Sequence, residues 1–575
     1  MIVLGINAYH ADSSAAIFKN GILIAASEEE RFRRIKHWAG FPSKAIEFCL
    51  QEAGIAINEV DHIAIGRDPK AKFNKKLLFF ISRPIDSFVH TIERMMNQQK
   101  VSSLEHEFQI HFGIDAHLLK NKIHAVEHHR SHLASAFFAS PFDNAAIISI
   151  DGSGDFSTTM LAIGNGNNID VIESIDFPHS LGIFYTAFTQ LLGFPHYGDE
   201  YKVMGLAPYG EPKYVDLLKD VVLLQNDGLF KLNLKYFRSP GKGFVAYNND
   251  HIPAIPIAYS KEAEAVFGAA RKKEEPLTQY HKDLAASVQQ MAEISIFHLL
   301  NYLHKKTGID NVCLAGGVAQ NSVANGKILA NTPFKHIYIP SAGHDAGIAM
   351  GAAQYIYHHQ LKHKRVPAIF SAYTGARFSN EYIEQMLQQK NIAYKKLADD
   401  ALIDYVADRL INAGVVGWFN GRAEFGPRAL GARSILADPS RQDAKELINS
   451  KIKRRESFRP FAPSILKEYV NEYFDCADIA PFMEKVYSIK YEKRNIIPAV
   501  THADGSGRLQ TVDELISPRY YALIEAFRIK SGIPILLNTS FNENEPIVNT
   551  PEEALDCYLR TSMDMLVMEN IIIER

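Results

Sequence analysis

The sequence is short of several features that would have placed it at once. Its four cysteines, Cys49, Cys313, Cys476 and Cys557, lie far apart and form no C-x-x-C. That excludes a disulfide framework and a thiolate zinc finger, and a reducing cytoplasm is the expected setting. No apolar run approaches the ~20 residues of a membrane span, and Met1 leads into Ile-Val-Leu-Gly with no basic segment before it, so an unexported chain without membrane contact is expected. There is no excess of one charge: 62 Lys+Arg stand against 65 Asp+Glu. Nucleic acid and anionic membranes therefore have no global electrostatic pull on the chain, and any basic surface must be local. A G-x-G-x-x-G dinucleotide fingerprint is also missing.

What is present is ordinary globular material, 47 % hydrophobic and 22 % charged over 575 residues. At about 150 residues per domain this is enough for roughly three or four units. Two stretches share a pattern. Ile2-Val3-Leu4-Gly5-Ile6-Asn7, Ser14-Ala15-Ala16-Ile17 and Asn20-Gly21 read strand, polar turn, strand, turn. So do Ile147-Ile148-Ser149-Ile150-Asp151-Gly152, Thr158-Thr159-Met160-Leu161 and Gly164-Asn165-Gly166. A shift of 144 lays Asn7 on Asp151 and Ser14 on Thr158, as an internal duplication would. Helical periodicity is expected over 43–53, 130–138 and 282–306, so strands alternate with helices in an α/β architecture. Residues 211–260, with scattered Pro, Gly, Asn and Tyr, read as an insertion. Charge accumulates over 358–367 and ends in a proline, which marks a linker; strand signals resume at 414–419 and 534–538.

Several motifs could carry chemistry. His128 and His132 are four apart at the start of a helix, on one face, where both imidazoles reach one ion. Asp151 ends an apolar strand and enters Gly152-Ser153-Gly154-Asp155, where glycines let backbone amides approach an anion; Asp345 sits in a second small-residue turn. Two histidines with these acids suit Fe(II), Mn(II) or Zn(II), and the competing reading has Asp151 and Asp345 holding Mg²⁺ on nucleotide phosphates. Gly316-Gly317, followed by Asn321, forms a strand-to-helix turn that can point amides at a phosphate or ribose. His10 and Asp12, in the loop of the first hairpin, could work as base and orienter, or form a simple Asx turn. Between 422 and 459 there are ten cations against five acids, broken by glycine and proline, a composition suited to bidentate phosphate or carboxylate binding; RNA is the electrostatic alternative.

Taken in order, these residues resemble the NodU/CmcH/TobZ family of O-carbamoyltransferases over nearly the whole chain. The motifs are Gly5-Ile6-Asn7-Ala8-Tyr9-His10, Ser27-Glu28-Glu29-Glu30-Arg31-Phe32 with Lys36-His37, Glu127-His128-His129, Asp151-Gly152-Ser153-Gly154-Asp155, the run from Gly198 to Gly210, Glu424-Phe425-Gly426-Pro427-Arg428, Phe458-Arg459-Pro460 and Leu537-Asn538-Thr539-Ser540-Phe541-Asn542. The resemblance implies an N-terminal actin-like, TsaD-like lobe over 1–357, with the duplicated sheets, and a C-terminal YrdC-like α/β lobe over 368–575. It implies that ATP, with Mg²⁺, and carbamoyl phosphate give carbamoyl adenylate in the second lobe. Transfer to a small sugar-like or secondary-metabolite hydroxyl then follows in the first. By the same resemblance Fe(II), or another divalent metal, sits on His128, His132, Asp151 and Asp345. Nucleotide or adenylate meets Gly152, Ser153, Asp155, Gly316, Gly317, Asn321, Arg428, Lys453, Met483 and Arg508. His10 is the acceptor-side base with Asp12 beside it, although Ala11 separates the two where some members have them adjacent. A TsaD-like transferase acting on tRNA and a nucleotide-binding regulator without turnover are the alternatives, and a homodimer is the default assembly.

Overall fold

The computed structural model describes residues 1–82, 104–238, 246–247 and 251–575. The chain divides into two compact units, Met1–Ala324 with Ile328–Ile369, and Asn325–Lys327 with Phe370–Arg575.

The first unit is built on two sheets of the same design. In one, β1 (Ile2–Asn7), β2 (Ser14–Lys19) and β3 (Ile22–Glu28) form an antiparallel meander. Asn20 and Gly21 make the second turn at φ +50° and +81°, the left-handed pair that a tight hairpin requires. β4 (His62–Ile65) adds parallel to β1, and β5 (Ile123–Ala125) parallel to β4, giving the order β3-β2-β1-β4-β5. The other sheet repeats this with β6 (Asn144–Gly154), β7 (Ser157–Asn165) and β8 (Asn168–Asp176) as the meander, and β9 (Asn311–Ala315) and β10 (His336–Tyr338) added parallel. The duplication expected from the two hairpins thus extends to all five strands of each sheet. This is the doubled sheet of an actin-like lobe.

The helices follow the same symmetry. α1 (Ser43–Ala53) spans the residues its periodicity marks and stops at Gly54, φ +66°, whose N–H bonds the carbonyls of Leu50 and Gln51. α2 (His128–Phe137) follows β5, α3 (Gln279–Thr307) is the long helix expected over 282–306, and α4 (Gly347–Gln354) follows β10. α2 and α4 therefore occupy equivalent places in the two halves, and they pack on each other. Their approach depends on missing side chains: a Cβ at Gly351 would stand 1.8 Å from the Ser131 carbonyl oxygen, and one at Gly5 of β1 would stand 1.8 Å from that of Ala349. Part of the 211–260 insertion lies outside the described residues. The remainder contains a short hairpin, Val222–Leu224 with Phe230–Leu232. The charged stretch read as a linker is docked on the first unit. His358 is buried against Phe138, and Arg365 donates to the carbonyls of Phe137, Ser140 and Phe142.

The second unit is an α/β layer structure on one nine-stranded sheet. Its strands are β11 (Lys395–Lys396), β12 (Val416–Phe419), β13 (Arg433–Ala437), β14 (Ala462–Leu466), β15 (Lys485–Ser488), β16 (Ser506–Val512), β17 (Ile535–Ser540), β18 (Met565–Met568) and β19 (Ile571–Glu574), in the order 11-19-18-12-13-17-14-16-15. Both faces are covered, which explains the continuous apolar runs at 414–419 and 534–538. Trp418, Leu436, Leu466, Leu536 and Val567 pack with α5 (Asp399–Ile411) and α6 (Pro518–Ser531). Phe419, Ile435, Ile465, Leu537 and Met568 pack with α7 (Pro551–Arg560). Among the described residues no helix is long and apolar enough to cross a membrane.

Gly351→Ala places one methyl group on the Ser131 carbonyl. Forcing the α2 and α4 backbones apart should cost about 1–3 kcal/mol, seen as a lower urea midpoint. An unchanged midpoint would mean that the helices do not cross at this distance.

Candidate active site

The equivalent helices and strand ends of the first unit deliver four side chains to one point. His128 and His132 come from the first turns of α2, Asp151 from the end of β6, and Asp345 from the turn before α4. His128 Nε2 lies 3.2 Å from Asp151 Oδ2 and 3.7 Å from Asp345 Oδ1; His132 Nε2 lies 3.0 and 3.3 Å from the same atoms. All four residues are buried, and one donor atom from each falls within 4.8 Å of the rest. Asp155, read as a nucleotide residue, is committed elsewhere: its Oδ2 accepts from the backbone N–H of His128 at 3.0 Å and of Asp68 at 2.7 Å. It thereby fixes the start of α2. Gly154 leaves room for the His128 ring, which a Cβ would meet at 2.1 Å. His129 turns away and pairs Nδ1 with Ser149 Oγ at 2.7 Å.

The donor set fits a divalent metal. Buried Asp345 Oδ1 has no hydrogen-bond partner although both Nε2 atoms face it, so its lone pairs are directed at the centre of the cluster. Two imidazoles with two carboxylates suit the borderline ions. The electrostatics agree. Burial alone would lower the His132 pKa, yet the neighbouring carboxylates of Asp151 and Asp345 bring it up to about 9. Burial and the neighbouring Asp151 would raise Asp345, yet His10 and His132 hold it at about 2. The cluster thus holds positive charge between two buried acids, the charge that a bound cation would otherwise supply.

Beside this cluster stand two further His–carboxylate pairs in place of the expected one. His10 Nδ1 is 2.7 Å from Asp345 Oδ2, whereas Asp12 Oδ1 is 2.7 Å from Nδ1 of His37. Asp345 therefore orients His10, and Asp12 is not its orienter. Asn7, the counterpart of Asp151, fixes the loop by directing its amide at the carbonyls of Ala11, Asp12 and Asp345 at 3.0–3.1 Å. Gly316 and Gly317 close on the end of β6, where added Cβ atoms would stand 2.3 Å from the Ile150 oxygen and 2.9 Å from Asp151 Oδ1. Gly152 has open space where its Cβ would be, and Ser153 beside it is half-buried, so this turn can be approached by a ligand. Asn321 is engaged in a reciprocal amide pair with Gln289, 3.0 Å each way, and caps the following helix through Ala324 N–H.

In the second unit the cation-rich run separates into two kinds of residue. Arg433 is fully buried, 3.6 Å over the Phe419 ring, and donates to backbone carbonyls including that of Ala376; Arg422 bonds those of Thr374 and Gly375. These hold the fold together. Glu424 gathers the intervening loop, accepting from the N–H groups of Leu430, Ala432 and Arg433 at 2.7–3.2 Å. Arg428, Arg455 and Arg459 instead converge on Arg508 of β16. Burial and these three like charges press its pKa well down, and its Nε is buried without a partner. Burial and Arg508 likewise push His502 down to about 4. Four half-buried guanidinium groups set against one another favour an anion. Lys453, also buried, donates to Ser540 Oγ at 3.1 Å, to the Asn542 carbonyl and side-chain oxygens at 2.8 and 2.5 Å, and to the Ser540 carbonyl. Met483, buried at φ +56°, precedes Glu484, whose carboxyl burial pushes up to about 7. His37, Asn7 and Gln289 carried no role in the sequence reading. His37 lies within a quoted motif, but spacing alone gives no sign of its pairing with Asp12.

Residues 2–354 match the family model described as carbamoyltransferase N-terminus, and residues 407–575 match carbamoyltransferase C-terminus. The chain belongs to this carbamoyltransferase family, and it is an enzyme of that class. It is 43 % identical to an uncharacterized protein of Synechocystis sp. over 100 % of this chain and 96 % of that one. It is 36 % identical to nodulation protein NolNO of Sinorhizobium fredii over 99 % of this chain and 80 % of that one. With nodulation protein U of Bradyrhizobium diazoefficiens the identity is 25 % over 94 % and 92 %.

The Glu484 carboxyl gives a pH test. Its folded pKa of about 7 lies above the ordinary 4.5, so the folded state binds the extra proton and stability falls as pH rises between those values. Urea midpoints of the wild type should therefore drop from pH 5 to pH 7.5, and Glu484→Gln should remove part of that drop. An identical pH dependence in both proteins would show that the carboxyl is not desolvated.

Proposed function

We propose that the chain is an ATP-dependent O-carbamoyltransferase that activates the carbamoyl group of carbamoyl phosphate as carbamoyl adenylate in the second unit. It passes that group to a hydroxyl of a small, sugar-like acceptor in the first unit. The observation that carries this reading is the presence of two sites of complementary chemistry: a half-buried group of four guanidinia in one unit, and a His–carboxylate centre with a flanking histidine in the other. A carbamoyl group is a poor electrophile until it carries a good leaving group, and AMP on a mixed anhydride is one. Making it brings phosphates together, which the first kind of site favours; using it requires removal of a hydroxyl proton, which suits the second.

In this mechanism Arg428, Arg455, Arg459 and Arg508 hold phosphate oxygens through charge-assisted hydrogen bonds. Lys453 anchors the Ser540–Asn542 turn at the edge of that site and adds its charge, and Met483 meets the adenylate. In the first unit the amides of Gly152, Ser153, Gly316 and Gly317 face nucleotide oxygens, while Asp155 and Asn321 act by fixing the adjoining helix starts. His128, His132, Asp151 and Asp345 would hold Fe(II) or another divalent ion, which supplies Lewis-acid polarisation of an oxygen when bound. His10, held at Nδ1 by Asp345, has Nε2 left to take the acceptor proton. The ATP enters with Mg²⁺ as a substrate complex.

Arg428→Ala and Arg508→Ala should each reduce pyrophosphate release from ATP and carbamoyl phosphate. Loss of one charge-assisted contact is worth about 1.5–3 kcal/mol, or roughly ten- to a hundred-fold in rate. Normal release in both variants would remove the adenylate site from these arginines. His10→Asn should keep pyrophosphate release and lose ~10²–10⁴-fold in carbamoylated product, the usual size of a general-base contribution. Product formation within a few-fold of wild type would place the base elsewhere.

A further inference from the structure

The two His–carboxylate pairs of the first hairpin differ in how their acids are shared. Asp345 is divided between His10 and the four-residue cluster, whereas Asp12 is given to His37. The His37 backbone N–H also donates to Glu30 Oε2 at 2.9 Å, so ring and main chain are both held. Asn7 brings the two pairs to one place, since its Nδ2 lies 3.1 Å from the carbonyl oxygens of both Asp12 and Asp345. The His37 ring is one-third exposed and lies edge-on to Tyr197, with centroids 5.1 Å apart. Its Nε2 end lies over Gly198, φ +81°, where a Cβ would come within 2.5 Å. That Nε2 has no hydrogen-bond partner among the described residues, so one N–H of a firmly held imidazole is left for a ligand. Tyr9, Asp12 and His37 are all in the left-handed backbone region, at φ +55° to +56°. Such conformations cost about 1–3 kcal/mol each and persist where the surroundings enforce them.

We propose that His37, oriented by Asp12, is a second catalytic residue of carbamoyl transfer, its Nε2–H donating to the carbonyl oxygen of the carbamoyl group as the acceptor attacks. This rests on the reading that carbamoyl adenylate reacts in the first unit. The acceptor oxygen forms a bond to the carbamoyl carbon, and the carbonyl π pair moves onto the oxygen that His37 faces. That pair then returns as the bond from carbon to the phosphate oxygen breaks, and AMP leaves with the bonding electrons. The acceptor proton goes to His10, and His37 keeps its own proton throughout. Charge supports the donor role of His37. Burial alone would lower the His37 pKa, but Asp12 and Glu30 outweigh it and the neighbouring Lys36, and hold it at about 9. Glu200, whose carboxyl burial pushes upward, and the Tyr197 ring are the other groups facing it. A histidine that stays protonated at neutral pH cannot be the base; it can stabilise an oxyanion. The phosphate leaving group, already anionic, needs no proton.

The test uses the full-length enzyme with ATP, carbamoyl phosphate and a panel of mono- and disaccharides, with water as the acceptor where no sugar is taken. His37→Gln should lower AMP formation from the adenylate ~10²–10³-fold, the usual loss of one oxyanion donor, while pyrophosphate release and metal content stay at wild-type levels. In the wild type, transfer should fall at alkaline pH as His37 deprotonates near its pKa of about 9. Asp12→Asn removes the carboxylate that holds the proton, so this limb should move to lower pH by one unit or more; a merely structural role would not move it. Transfer by His37→Gln within a few-fold of wild type, or an alkaline limb of Asp12→Asn at the wild-type position, overturns the proposal. Should His37→Gln fail to fold, the Asp12→Asn profile decides. If the wild type releases no pyrophosphate, it is the adenylate reading that fails, and transfer from carbamoyl phosphate itself is scored with the same variants.

Discussion

Two buried carboxylates, Asp151 and Asp345, facing two buried imidazoles form the constraint on which the rest of the first unit depends. Acids so close together and so far from water are stable only with positive charge between them. The surrounding fold supplies the geometry that keeps this possible. Asp155 pins the start of α2, Gly154 makes room for the His128 ring, and Gly316 and Gly317 close on the end of β6. On the other side, Asn7 and Ser14 grip the backbone carbonyls of Asp345 and Ala346. Each of these contacts is local, and all serve the position of one charge.

The internal duplication explains why the centre lies where it does. α2 and α4 follow the fifth strand of their respective sheets and cross on Gly351, so the start of one helix lies beside the turn that precedes the other. The β6 copy carries Asp151 of the His–carboxylate cluster, and the β1 copy carries Asn7, whose amide organises the loop holding His10 and Asp12.

Much of this is legible in the sequence. The hairpins, α1 and the H-x-x-x-H pair followed from periodicity and spacing, because each is fixed by neighbours in sequence. The grouping of His128, His132, Asp151 and Asp345 came from family resemblance joined to spacing. The pairing of His10 with Asp345 and of Asp12 with His37 was not legible, since a His-x-Asp spacing cannot show which acid a ring meets across a fold. Nor could composition sort the cations between 422 and 459: Arg433, buried beneath carbonyls, and Arg428, beside Arg508, look alike in sequence. Nor does composition show that the stretch at 358–367, which precedes the boundary between the two units, is docked, with Arg365 donating to the carbonyls of Phe137 and Ser140 at the end of α2.

The central claim is that the four-residue cluster is a metal centre. X-ray absorption on the Fe(II)-loaded enzyme tests it most directly, because the spectrum reads the ligands themselves. The account predicts scattering from two imidazoles with the rest of the shell oxygen, and loss of imidazole scattering when His128 and His132 are both replaced by alanine. An all-oxygen shell in the wild type, or a spectrum unchanged in the double variant, would contradict it.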